Sequence, residues 1–120
     1  MEFKIEKHNR HIAVIRLKGR MIAEYETIPL AEQLEDLEED QYTRLIFDLG
    51  QVEYMNSSGL NFFLRTLTRV RRLDGEVVIC SMNKLLETLM VTTKLNAFFT
   101  ICPDLTAALE HFETENKLTE

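Results

Sequence analysis

The sequence predicts an α/β fold built on a mixed β-sheet covered by about four α-helices, and three observations carry that prediction. Residues 3 to 19 alternate polar and apolar positions around a short polar gap, as an antiparallel hairpin does. Beyond them, apolar runs of strand length alternate with stripes at helical spacing, the pattern of strands joined through helices. One of the later runs, Glu76-Val77-Val78-Ile79-Cys80, is continuously apolar after its first residue and rich in β-branched residues, as expected of a strand buried on both faces of a parallel sheet.

In chain order, Phe3-Lys4-Ile5-Glu6-Lys7 and His11-Ile12-Ala13-Val14-Ile15-Arg16-Leu17-Lys18-Gly19 form the two arms of the hairpin, with His8-Asn9-Arg10 between them. His8 and His11 have no neighbouring carboxylate or cysteine pattern and read as surface residues rather than metal ligands. From Glu24 to Asp40 there are eight acidic residues and no Lys or Arg. Leu30, Leu34 and Leu37 keep helical spacing there, and Pro29 suits a first turn, so a helix should begin near Thr27 or Ile28. Its late acids, Glu35, Asp36, Glu38, Glu39 and Asp40, oppose the helix dipole and repel one another. They read either as a solvated face or as a charged docking surface for a basic partner.

The run Leu45-Ile46-Phe47-Asp48-Leu49 is the next strand. After the polar turn Asn56-Ser57-Ser58-Gly59, a helix carries Leu60, Phe63, Leu64, Leu67 and Val70 on one face, at i, i+3, i+4, i+7 and i+10. The opposite face presents Asn61, Phe62, Arg65, Thr66, Arg69 and Arg72, which makes Phe62 an exposed aromatic and a candidate partner anchor. Asp74-Gly75 closes the helix. Asn83 then caps a helix with Leu85, Leu86, Leu89 and Met90, and Ala97-Phe98-Phe99-Thr100-Ile101 reads as a last strand. Pro103-Asp104 opens a final helix with Leu105, Ala108, Leu109 and Phe112 inward. Residues 1 to 112 thus form one domain, and the tail from Glu113 to Glu120 is expected to fray.

With 120 residues and 45% hydrophobic content, the chain can bury a substantial core. A formal net charge of -6 argues against a nucleic-acid surface, which needs a basic stripe to meet phosphates. No apolar run is long enough for a signal peptide or a membrane span, so a cytoplasmic, soluble protein is expected. Cys80 and Cys102 lie far apart in sequence after apolar runs and read as buried free thiols; no disulfide, metal or cofactor is expected.

The chemistry concentrates at Asn56-Ser57-Ser58-Gly59. A helix starting here points its free N–H groups and positive dipole end at the two serine hydroxyls. The serines can simply cap the helix, or one can accept a phosphate that the helix end would stabilise. An enzymatic reading is poor, because Ser57-Ser58-Gly59 lacks the Gly-x-Ser-x-Gly elbow, no phosphate-binding loop motif occurs, and no base is placed near the hydroxyls.

The ordered set Leu17-Lys18-Gly19-Arg20, Leu45-Ile46-Phe47-Asp48-Leu49 with Val52, Tyr54-Met55, Ser57-Ser58-Gly59-Leu60 and Gly75-Glu76-Val77 resembles the STAS domain of bacterial anti-sigma factor antagonists across residues 3 to 112. The resemblance implies the STAS fold and partner switching. Ser57 would be the phosphorylation site, and Asn56, Ser58, Gly59, Asn61, Phe62 and Arg65 would belong to the partner-binding surface. The implied partners are an anti-sigma factor that is also a serine kinase of the histidine-kinase-like ATPase type and a PP2C-type phosphatase. The family turn commonly reads Asp-Ser-(Ser/Thr/Ala)-Gly-Leu-Gly, whereas this chain has Asn56 for the Asp and Asn61 for the last Gly. Lys94 likewise stands where a glycine is common. Loss of the Asp charge bears on kinase recognition, so an unphosphorylated scaffold or accessory subunit, in a stress-signalling or lipid-transport assembly, is the alternative implied.

Overall fold

The computed structural model describes residues 1–8 and 11–119. Five strands lie in the order β1 (Glu2–Lys7), β2 (Ile12–Met21), β3 (Arg44–Met55), β4 (Glu76–Cys80) and β5 (Thr100–Cys102), each hydrogen-bonded to the next in sequence. β1 and β2 are antiparallel and every later pairing is parallel, so the expected mixed sheet is the one observed. The helices are α1 (Ile28–Glu39), α2 (Ser57–Arg71), α3 (Lys84–Thr92) and α4 (Leu105–Thr119). Of the hairpin gap, Asn9 and Arg10 lie outside the described residues; His8 and His11 are exposed.

The sheet is covered on both faces, and the period-two alternation of β2 and β3 sorts the core into two halves. Ala13, Ile15, Leu17, Leu45, Phe47 and Leu49 pack with Leu30 and Leu34 of α1, Phe63 and Leu67 of α2 and Leu86 of α3. Ile12, Val14, Ile46, Val78 and Cys80 face the other way, onto Ala108 and Phe112 of α4. Three helices therefore share one face and one covers the other.

Several boundaries differ from the sequence reading. β3 does not stop near Leu49 but runs to Met55, because β2 is long enough to pair with it up to Met21↔Met55. The last strand is only Thr100–Cys102: Lys94 takes a left-handed conformation (φ 63) after α3, and Leu95–Ala97 form a 3-10 turn before the chain extends. α4 runs from Leu105 to Thr119.

Candidate functional site

The start of α2 is set by Asn56. Its backbone is extended (φ -109, ψ -163), and its side-chain oxygen accepts a hydrogen bond from the Ser58 N–H at 2.9 Å. The Leu60 N–H then bonds to the Asn56 carbonyl at 3.1 Å, beginning the helical ladder. Asn56 also ties this helix to the sheet. Its backbone N–H donates to the Met21 carbonyl at 3.1 Å, and its side-chain N–H donates to the Ile22 carbonyl at 2.9 Å.

Gly59, three residues after the cap, lets the helix sit directly on the strand ends. A methyl group there would lie 2.9 Å from the Met55 Cβ and 3.1 Å from the Met21 Cβ, closer than packed carbons approach. Pressed down in this way, the turn leaves Ser57 exposed at its tip, with Asn56 and Ser58 half-buried below. Ser57, Asn61 and Arg65, at i, i+4 and i+8, form one exposed line along α2. The first turn of this 15-residue helix carries no acidic side chain, and Arg69 and Arg71 lie in its last turn. The positive dipole end at Ser57 is therefore not offset by an acidic side chain of that turn, which favours an anion there.

The STAS domain family matches residues 3–108. The chain belongs to that family. An anti-sigma F factor antagonist from Paenibacillus polymyxa is 25% identical over 84 residues, covering 69% of this chain and 72% of that one. Among solved structures, the anti-sigma factor antagonist SpoIIAA in its unphosphorylated form superposes with a TM-score of 0.69 at 17% identity, over 98% of each chain. SpoIIAA of Bacillus in its phosphorylated form gives 0.70 at 18% identity, over 92% of this chain and 99% of that one. At these identities the two structures establish the fold.

Within this STAS domain the expected site residues divide. Asn56, Ser57, Ser58, Asn61 and Arg65 come together at the exposed start of α2. Gly59 is buried and serves the surface by holding the turn against β2 and β3. Phe62 is a correction: it is 2% exposed, and its ring packs edge-on to Phe47 and Phe63 at centroid distances of 6.1 and 5.4 Å. A stripe one side-chain wide underestimated the buried face of α2, which meets the sheet and, on its flank, the segment before α1. Thr66 is buried on the same flank, its hydroxyl donating to the Phe62 carbonyl at 2.9 Å. Leu64 lies at the margin of the core.

Sequence reasoning missed the segment between β2 and α1, which flanks the Ser57 turn. Ile22 is bonded to Asn56, and the Glu24 carboxylate meets the Arg65 guanidinium at 3.2 Å. Ile22 and Tyr25 are apolar residues at the edge of the acidic run, and that was the signal available.

The two cysteines, distant in sequence, are register partners on β4 and β5. Both are free. Burial pushes the Cys80 thiol up to about 11, against a smaller opposing hydrogen bond from Ser81. Burial, followed by the nearby Asp104, also raises Cys102. Both thiols stay protonated at neutral pH and are poor nucleophiles. Among the described residues no group of three or more His, Cys, Asp or Glu side chains is placed to hold a metal, and no helix is long and apolar enough to cross a membrane.

Proposed function

We propose that this STAS domain is an anti-sigma factor antagonist that works by phosphorylation-controlled partner switching. The observation that carries the reading is Ser57 itself: an exposed hydroxyl at the uncompensated N-terminus of α2, at the position where the family motif has its phosphorylated serine. The unmodified protein binds an anti-sigma factor of the histidine-kinase-like ATPase type through the line Ser57, Asn61 and Arg65, with Asn56 and Ser58 shaping the turn. That binding releases a sigma factor. The same partner transfers the γ-phosphoryl group of ATP to the Ser57 oxygen, with loss of the hydroxyl proton and release of ADP. A phosphoserine adds about -1.5 to -2 charges, which the helix end tolerates in the free protein. In the contact it acts by repulsion and desolvation, and the complex dissociates. A PP2C-type phosphatase hydrolyses the phosphate and resets the cycle. The domain is thus a ligand and a substrate with no catalytic role. The named Paenibacillus relative, and the existence of SpoIIAA structures in both states, support this reading.

Incubation with ATP and each histidine-kinase-like serine kinase encoded in the same genome should add one phosphate, and Ser57→Ala should abolish it. Ser57→Asp should weaken partner binding with the circular dichroism spectrum unchanged. Undiminished phosphorylation of the Ala variant would overturn the assignment of Ser57.

One observation favours a second reading, a scaffold that is never phosphorylated. Asn56 uses its amide N–H on the Ile22 carbonyl, a bond that an ionised Asp cannot donate. The local packing is therefore fitted to Asn, without the negative charge usual beside the acceptor serine. Failure of every encoded kinase to modify the wild type would select this reading.

A further inference from the structure

Beside the Ser57 line runs a groove of about 520 Å³, between α2 on one side and the start of α1 with its preceding 3-10 turn (Glu24–Thr27) on the other. We propose that this groove docks a basic amphipathic helix of the partner protein; the proposal rests on the exposed start of α2 being the contact surface of partner switching.

Two features define the occupant. The first is an apolar ledge. Ile22, Tyr25 and Ile28 are 44%, 73% and 53% exposed, a cluster of large apolar side chains within seven residues of chain. Tyr25 and Ile28 line the groove, and Ile22 joins the ledge to the Ser57 turn through its bond to Asn56. Scattered exposed apolar residues are ordinary, but two large ones lining the same concavity are the form of a protein contact.

The second feature is charge. Arg65 and Arg69 line the α2 wall, but each already faces a carboxylate: Arg65 meets Glu24 at 3.2 Å and Arg69 meets Glu38 at 2.6 Å. On the α1 wall Glu32 and Glu35, at i+4 and i+7 from Ile28, are exposed and have no ion-pair partner among the described residues. The charge left over in the groove is therefore negative. An occupant with apolar residues over Tyr25 and Ile28 and Lys or Arg side chains toward Glu32 and Glu35 matches it, and an acidic helix would be repelled.

The test uses the intact chain, 15N-labelled, and three synthetic 16-residue peptides: an amphipathic Leu/Lys helix, the same pattern in Leu/Glu, and a Lys-rich peptide of equal charge without Leu. The Leu/Lys peptide should shift the amides of residues 22–35 and 62–69 saturably, and the other two should bind at least about tenfold more weakly, a difference of about 1.4 kcal/mol. Ile28→Ser, an exposed change, should weaken Leu/Lys binding by about tenfold, and the pair Glu32→Lys with Glu35→Lys by more. Equal binding of the Leu-free peptide, shifts centred elsewhere, or indifference to Ile28→Ser would overturn the groove. Ser57→Asp, titrated against the whole kinase partner, separates the two proposals. If that variant binds poorly while Ile28→Ser and the double Lys variant bind the kinase normally, the groove assignment is wrong and partner switching stands; if Ser57→Asp binds undiminished, the switching interface itself is wrong.

Discussion

Asn56 and Asn83 cap neighbouring helices at neighbouring strand ends, and they do so with the same chemistry. Asn83 accepts from the Leu86 N–H at 2.8 Å and donates its side-chain N–H toward the Val52 and Glu53 carbonyls of β3 at 3.2 and 3.3 Å. Asn56 accepts from Ser58 and donates to Ile22. Each amide thus fastens a helix N-terminus to an adjacent part of the fold. The residues just after the two caps differ. After Asn83 come Lys84, an exposed cation set against the helix dipole, and Leu85 and Leu86; after Asn56 come two hydroxyls and a glycine. Capping geometry is therefore no marker of a site. What sets the candidate site apart is an exposed, uncharged hydroxyl at a helix N-terminus whose first turn carries no acidic side chain, and only the Asn56 helix of this pair has one.

The largest effects should come from the third residue after each cap. Leu86 is fully buried and fills the space beneath α3, so Leu86→Ala should cost about 2–4 kcal/mol through lost contacts and a cavity. At the matching position of α2, Gly59→Ala inserts a methyl against Met21 and Met55, and should cost about 1–3 kcal/mol by overpacking. Urea unfolding midpoints measure both. A Gly59→Ala variant as stable as wild type would mean that α2 can lift from the strand ends, and the fixed placement of Ser57 would be lost with it.

The caps themselves come next. Asn56→Ala and Asn83→Ala should each cost about 1 kcal/mol, the usual value of a lost N-cap. Their functional effects should separate: isothermal titration with the proposed kinase partner should show weaker binding for Asn56→Ala and unchanged binding for Asn83→Ala. Equal effects on binding would collapse the distinction between a site and a cap. Asn56→Asp should retain the Ser58 bond and gain from the dipole while losing the Ile22 bond, leaving stability within about 1 kcal/mol of wild type. If charge beside Ser57 is what a kinase reads, phosphate incorporation should rise in that variant.

The Asn83 cap was legible in the sequence, because Asn before a helical stripe is a local signal with a local cause; at α2 the serines were read as the caps, whereas the cap is Asn56 and both serines lie inside the first turn. The alternation of the hairpin arms, β1 and β2, was legible for the same reason. The non-local features stayed hidden. Phe62 lies off the main stripe of α2, and its burial depends on the segment before α1 arriving at that flank, which no periodicity within residues 57–71 reports. The second bond of Asn56, to a carbonyl 34 residues earlier in the chain, is likewise set by where β2 ends. The Cys80 and Cys102 pairing needed the β4–β5 register. Ser57 was singled out by the residue types of its turn, and its exposure follows from Gly59, whose role is visible only against Met21 and Met55.

The far ends of the same two helices offer the smallest and cleanest test. Both close on a left-handed residue that is not glycine, Asp74 (φ 59) after α2 and Lys94 (φ 63) after α3. Asp tolerates this conformation better than Lys, since its short polar side chain can bond locally, and a Lys there pays the full Cβ penalty of about 1 kcal/mol. Lys94→Gly should therefore stabilise the domain by about 0.5–1 kcal/mol, the relief being reduced by the greater freedom of glycine in the unfolded chain, and Asp74→Gly should gain less. Neither change touches the start of either helix, so binding to the kinase should be unaltered in both. A gain for Lys94→Gly smaller than that for Asp74→Gly would show that the lysine is held by contacts of its own, and that α3 is anchored at its C-terminus more firmly than its cap at Asn83 suggests.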